Sequence, residues 1–406
     1  MIGGINLVPI MHMVLLGCAA VLPVVVARRV YDPDLSLLAQ ACCPLIVAGA
    51  GAMPFYVAYL MPDILTPILL LLIATVTIWG RFMRWYELAA ALALACFCVT
   101  SHLSNLPITA LLLPVAAFAA VLVHRKTFWM PPLFVALVLG FGLGERMTFK
   151  AAAESVQDAE VVYYPFLTAR IVADGPGYTF LQDHCPDAAT PTSALWDALS
   201  KSDDPWRLTA SHTIFEKDPD LGSFRLMSEQ DQQIVASRQV QFFLNVLLDQ
   251  PVGTTFAFLK NTLRQAGLYS INMTLPTDGI MENLMALPDV SADAFPEGRF
   301  SIDGGWLGAV DALQTVVYDA SLAVLIMLLI WPGAVPFGIK GFVLVLLVGI
   351  LVNAFVCGGV SQPAERYGGR VIWLLPFAAT LLIQFSTWAN PGMDLTRDKK
   401  GLAKVE

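Results

Sequence analysis

Apolar residues in this chain fall in long runs, and the length of those runs is the first structural signal. A bilayer core of about 30 Å takes roughly 20 apolar residues per helix, and on that measure the chain contains about nine candidate spans. They lie near 5–27, 36–53, 64–80, 86–103, 107–123, 128–144, 308–331, 338–356 and 370–389. Two are weaker than the rest: 36–53 is short and interrupted by Pro44 and a Gly-Ala run, and 308–331 begins with Asp311 and carries Asp319. Between the sixth and seventh spans, about 160 residues of ordinary soluble composition carry helical apolar spacing, as in Ser228 to Leu248 and Val252 to Leu268. A segment of that length is too long for a simple loop. The predicted class is an all-α polytopic membrane protein: a bundle of about six helices over 1–144, a largely helical domain over 145–305, about three helices over 306–390, and a basic tail over 391–406.

Composition agrees with the span pattern. Of the 406 residues, 57% are hydrophobic and 14% charged, with a mean hydropathy of +0.66, whereas soluble domains run to about 45–50% apolar and about 25% charged. Residues 145–305 hold 22 of the 32 acidic side chains and 11 of the 24 basic ones. No basic nucleic-acid footprint is present. Of the seven Cys, Cys18, Cys42, Cys43, Cys96 and Cys98 lie inside apolar runs as small hydrophobes, which leaves Cys185 and Cys357 outside or at the edge of them.

Orientation follows from the basic residues in short connections, which are retained on the cytoplasmic side. Arg28 and Arg29 follow the first span, Arg81 and Arg84 the third, Arg125 and Lys126 the fifth, Lys340 the seventh, and Arg397, Lys399, Lys400 and Lys404 the ninth. Every second connection is basic. The stretches "MPFYVAYLMPD" (53–63), "SHLSNLP" (101–107), the acidic domain and "GGVSQPAERYGG" (358–369) are therefore predicted on the extracytoplasmic face. This order places Met1 outside with no signal peptide, so the chain is expected either to be natively N-out or to lack an upstream helix and loop.

The candidate chemistry gathers on that predicted face. Arg366 and Arg370 are four residues apart, one face of a helix, and guanidinium forks bind phosphate oxygens bidentately. Headgroup anchoring or an ion pair with Glu365 or the acidic domain is the structural alternative. Tyr367, Trp373 and Ser361 lie in the same segment. Asp63 directly precedes a helix and suits either an N-cap or an extracytoplasmic carboxylate paired with Glu365 as general base. His102, with Ser101, Ser104 and Asn105, forms a polar lip that suits a sugar or phosphate, or simply a helix end. His184, His212 and Cys185 lack zinc spacing, and no protein-defined metal site is predicted. Cys185 and Cys357 share the oxidising side and form a candidate disulfide, with a buried thiol at Cys357 as the alternative.

Four segments in this order, "YLMPDI" (59–64), "SHLSNLP", "ADGPGYTFLQDHCPD" (173–187) and "NAFVCGGVSQPAERYGGRVIWLLP" (353–376), resemble a family of bacterial multi-span membrane proteins. That family is in turn similar to the GT-C superfamily of lipid-dependent glycosyltransferases. The resemblance implies a bacterial inner-membrane protein that transfers a sugar from a polyprenyl-phosphate donor to an envelope acceptor at the extracytoplasmic face. Arg366 and Arg370, with Tyr367, His102 and Ser361, would bind the donor, and Asp63 and Glu365 would serve catalysis. By the same analogy alone, a divalent cation bridges donor phosphates. In the superfamily the acidic catalytic loop follows the first helix, and this chain resembles one that begins at the second. Two alternatives stay open: a non-catalytic envelope assembly protein, and a transporter or flippase of a lipid-linked saccharide, against which stand the lack of an internal repeat and the sparse intramembrane charge.

Overall fold

The computed structural model describes residues 7–123, 127–157, 161, 163–185, 192–201, 203–275 and 305–391. Among them all regular structure is helical. Six helices are long and apolar enough to cross a membrane: Leu7–Tyr31, Pro62–Phe82, Asn105–Val123, Met130–Val156, Gly305–Ile330 and Phe337–Val360. The other three predicted spans take shorter forms. Residues 36–53 give a helix over Leu37–Gly49, and 86–103 one over Trp85–Ser101. Residues 370–389 fall in two pieces, Glu365–Ile372 and Leu374–Gln384, separated at Trp373. Arg125, Lys126 and the basic tail from 392 onward lie outside the described residues.

Helices are numbered along the chain. In the first part they are α1 (Leu7–Tyr31), α2 (Leu37–Gly49), α3 (Met53–Ala58), α4 (Leu65–Trp79), α5 (Trp85–Ser101), α6 (Asn105–Val123) and α7 (Met130–Gln157). Then come α8 (Phe166–Ala173), α9 (Pro176–His184), α10 (Ser193–Leu199), α11 (Ala210–Phe215), α12 (Glu229–Ser237), α13 (Gln239–Asp249) and α14 (Pro251–Ala266). The last four are α15 (Gly305–Ile330), α16 (Phe337–Phe355), α17 (Glu365–Ile372) and α18 (Leu374–Gln384). The chain divides into two compact units, one of residues 1–143, 268–352 and 365–406, the other of 144–267 and 353–364.

The first unit is built around α4. Its sequence, LTPILLLLIATVTIW, is apolar on every face, and every residue of it is buried, as a helix without a polar stripe requires. It packs against α1, α5 and α6. Helix α16 joins them through small residues: Gly341 meets Ile78, Gly349 meets Leu70, and Phe342 stacks on Trp79 at 5.0 Å. Glycine lets helix backbones approach where no hydrophobic drive separates protein from lipid. Polar ties add register: Thr66 donates to Asn105 Oδ1 at 2.8 Å, and Asn105 Nδ2 donates to the Cys98 carbonyl at 2.7 Å. Helices α2 and α15 both pack on α18.

The two ends of α4 differ in chemistry. Beyond its C-terminus, Arg29 donates to the Phe82 carbonyl at 2.6 Å and pairs with Glu87 at 2.7 Å, so the connections after α1 and α4 meet the start of α5. Before its N-terminus lies Asp63, in the single 3₁₀ turn Pro62–Ile64. The 21 residues from Pro62 to Phe82 rise about 30 Å, the thickness of a hydrocarbon core.

In the second unit, short helices enclose an apolar core that includes Ile171, Phe180, Leu195, Phe224, Phe242 and Val246. Its polar interior is tied by Arg170, which pairs with Asp174 at 2.5 Å, while Asn261 donates to the same carboxylate at 2.8 Å. Buried Arg207 donates to the carbonyls of Gly222 and Pro219 and holds the 216–222 turn closed.

Candidate functional site

Five sequence-predicted residues converge at the N-terminal end of α4. Asp63 is fully buried and sits inside the 3₁₀ turn Pro62–Ile64, while the N-cap position of α4 falls to Ile64. Its partners are arginines: Arg370 Nη1 lies 3.3 Å from Oδ1, and Arg366 Nη2 lies 3.2 Å from Oδ2. The i, i+4 spacing on α17 puts both guanidinium groups on one side of the helix, where both pair with Asp63. Tyr367 lies between them, its ring 5.5 Å from the Arg366 guanidinium carbon and 5.2 Å from that of Arg370. The His102 ring meets Tyr367 edge-on at 6.2 Å.

A chain of hydrogen bonds closes the site. Arg370 Nη2 donates to Ser104 Oγ at 2.9 Å. Ser104 Oγ contacts His102 Nδ1 at 2.8 Å, and the Ser104 backbone N–H donates to the same nitrogen at 3.2 Å. Nδ1 is therefore the acceptor, which puts the proton of a neutral imidazole on Nε2, 4.0 Å from Asp63 Oδ1. Burial, reinforced by Arg370 and Arg366 against the pull of Asp63, pushes the His102 pKa down to about 4. One carboxylate thus faces two guanidinium groups and a neutral imidazole. For Arg366, burial opposes the charge, but Asp63 and the neighbouring tyrosines carry its pKa above the ordinary value. Arg366 Nε is buried without a hydrogen-bond partner.

The backbone around the cluster is fixed by Tyr56, a residue that the sequence reading does not single out. Its hydroxyl donates to the Arg366 carbonyl at 2.9 Å, and Gly369 lies so close that an added Cβ would stand 2.5 Å from that oxygen. Trp373 Nε1 donates to the Arg370 carbonyl at 2.8 Å, which ties the break between α17 and α18. Burial pushes the Tyr56 hydroxyl strongly up, so it remains a donor. A signal for Tyr56 was present in the sequence: "YVAY" shares one predicted extracytoplasmic connection with Asp63.

Other predicted residues lie elsewhere. Glu365 Oε2 accepts the Ser270 N–H at 2.7 Å, and Ser270 Oγ donates to Asp311 at 3.0 Å, so the second carboxylate is engaged away from Asp63. Ser361 ends the π turn Val356–Val360 and belongs to the second unit. Cys185 and Cys357, the candidate bridge, are both free thiols: Cys185 lies in the apolar core and accepts from Ser193 at 2.8 Å, and buried Cys357 faces Asn353 Oδ1 at 3.7 Å. Among the described residues no group of three His, Cys, Asp or Glu side chains is placed to hold a metal.

Comparison with known proteins finds no matching family model, no matching curated protein and no matching solved structure.

Proposed function

We propose that this chain is a GT-C-like membrane glycosyltransferase that takes a sugar from a polyprenyl-phosphate donor and passes it to an envelope acceptor at the extracytoplasmic face of a bacterial inner membrane. The observation that carries this reading is the pairing of Arg366 and Arg370 on the single carboxylate of Asp63, at one end of a helix long enough to span a bilayer. A guanidinium pair at a membrane edge is matched to a phosphate, which offers more acceptor oxygens and more charge than one carboxylate. The basic residues at the far end of α4 mark the cytoplasmic side by the positive-inside rule, which leaves Asp63 facing out.

In this reading the donor phosphate draws Arg366 and Arg370 off Asp63. The freed carboxylate takes the proton of the acceptor hydroxyl as that oxygen attacks the sugar C1. The C1–O bond to phosphate breaks, and the arginines hold the departing polyprenyl phosphate. His102, neutral with its proton on Nε2, donates to sugar or phosphate oxygen. The donor set of two guanidinium groups against one carboxylate does not fit a resident divalent cation, and no step runs through one.

One observation favours a second reading. Glu365, the predicted second acid, is bonded to Ser270 rather than placed beside Asp63, as suits a non-catalytic assembly protein that binds a lipid-linked saccharide. The test is an assay of the purified full chain in proteoliposomes with labelled polyprenyl-phosphate sugar. Transfer or hydrolysis that drops at least tenfold in Arg366→Lys supports the enzyme, since a point charge does not replace a fork. Binding without turnover supports assembly, and absence of binding overturns both.

A further inference from the structure

Helices α13 and α14, bent 117° at their junction, leave an apolar stripe uncovered. On α13 it consists of Val240, Leu244 and Leu248, spaced by four; on α14 it consists of Val252, Phe256, Leu259 and Leu263. All seven are exposed, Leu248 and Val252 at the elbow by 81% each. At 100° per residue the four positions on α14 fall within about 60° of one another, too tight an arc for a random surface. The opposite face of α14, with Thr254, Phe258, Asn261 and Gln265, is buried.

What that buried face packs on decides the occupant. Phe258 meets Phe355 with ring centroids 5.9 Å apart, Gly359 lies against the Phe258 ring, and Gly358 against the Asn261 backbone. Residues 355–359 are the last turns of the candidate span Phe337–Val360. Helix α14 therefore packs on residues 355–359, with its uncovered stripe on the side away from them. Lys260 and Arg264, both exposed, flank the stripe on one side, as snorkelling side chains do beside an apolar face at the headgroup level.

We propose that α13 and α14 form an interfacial element that lies in the lipid surface, with the seven-residue stripe sunk into the headgroup and acyl boundary and Lys260 and Arg264 at the phosphates. The element anchors the second unit to the bilayer independently of the phosphate reading of the Asp63 site. The occupant is lipid because α14 packs by its opposite face on the end of a candidate membrane span, and because Lys260 and Arg264 match anionic headgroups.

The experiment uses the full chain in proteoliposomes, with Cys18, Cys42, Cys43 and Cys96 replaced by alanine and single cysteines placed at exposed positions, so that folding is not at stake. An environment-sensitive fluorophore at Phe256→Cys or Leu263→Cys is expected to shift to the blue. Lipids brominated near the carbonyl should quench it at least twofold more than aqueous iodide does, whereas Thr255→Cys should show the reverse. Quenching of the stripe positions by iodide overturns the proposal, as does protection from both quenchers, which would mean that protein covers the stripe. Strongest quenching by lipids brominated deep in the acyl chain also overturns it, since the elbow would then cross the core.

Discussion

Arg370 and Asp63, 307 residues apart in sequence, form a fully buried ion pair at 3.3 Å, and each is held by further groups: Arg370 by Ser104, Asp63 by Arg366. Removing one member of such a pair leaves an uncompensated charge in a dry site, which costs about 3–5 kcal/mol. Asp63→Ala should therefore lower the melting temperature in detergent more than Arg366→Ala, whose partner retains Arg370. The double variant Asp63→Ala/Arg370→Ala should recover part of the loss. Equal melting of wild type and Asp63→Ala would show that the pair does not hold the fold.

The His102 imidazole gives a pH signature with a definite sign. Its folded pKa is about 4, below the ordinary 6.5, because burial and then Arg370 disfavour the charged form. The unfolded chain binds the proton first, so the stability that neutral His102 contributes is complete above pH 6.5 and is lost as the pH falls towards 4. His102→Gln should flatten the melting profile across that window. An NMR titration placing the midpoint at 6 or above would contradict the burial.

Gly369 has no room for a methyl group, because a Cβ there meets the Tyr56 hydroxyl at 2.5 Å and its ring carbons at about 3 Å. Gly369→Ala should cost about 1–3 kcal/mol through overpacking and displace the Tyr56 bond to the Arg366 carbonyl. Adding Tyr56→Phe removes the nearest atom and should restore part of the stability. Activity or binding should fall in the single variant even where it folds, since α17 carries both arginines.

All seven cysteines are free thiols. Alkylation under denaturing, non-reducing conditions should add seven labels, and mass spectrometry should find no peptide joining Cys185 to Cys357. A linked peptide would return the second unit to a stapled architecture.

The orientation read from the basic connections is tested by cysteines at Ser361 and Lys340. The first should react with an impermeant reagent in intact cells, and the second only after permeabilisation. The reverse would place the Asp63 cluster on the cytoplasmic side and remove the extracytoplasmic reaction.

Much of the site was legible because charge is rare in this chain: Arg366, Arg370, Asp63 and His102 stand out against apolar runs. What joined them was not legible. Asp63 reads locally as a helix cap, and only the packing of α17 beside α4 turns it into a counter-ion. Glu365 read as the second acid because it is adjacent to Arg366, yet its position at the first turn of α17 aims it at Ser270. Three of the nine predicted spans take shorter forms for a similar reason. Hydropathy registers apolar length, but it does not register that α2 stops after 13 residues, at about 20 Å of rise. Nor does it register that Gly51 packs against the Tyr318 hydroxyl, or that α17 and α18 part at Trp373.

The complete burial of α4 has a consequence for how the protein meets membranes of different thickness. Lipid-facing helices answer hydrophobic mismatch by tilting or by deforming the bilayer around them. A helix enclosed by protein on all sides has no lipid to answer to. Helix α4 acts as a fixed ruler inside the bundle: the Asp63 cluster and the Arg29–Glu87 pair keep their separation whatever bilayer surrounds them, and a change of lipid is taken up by the outer helices.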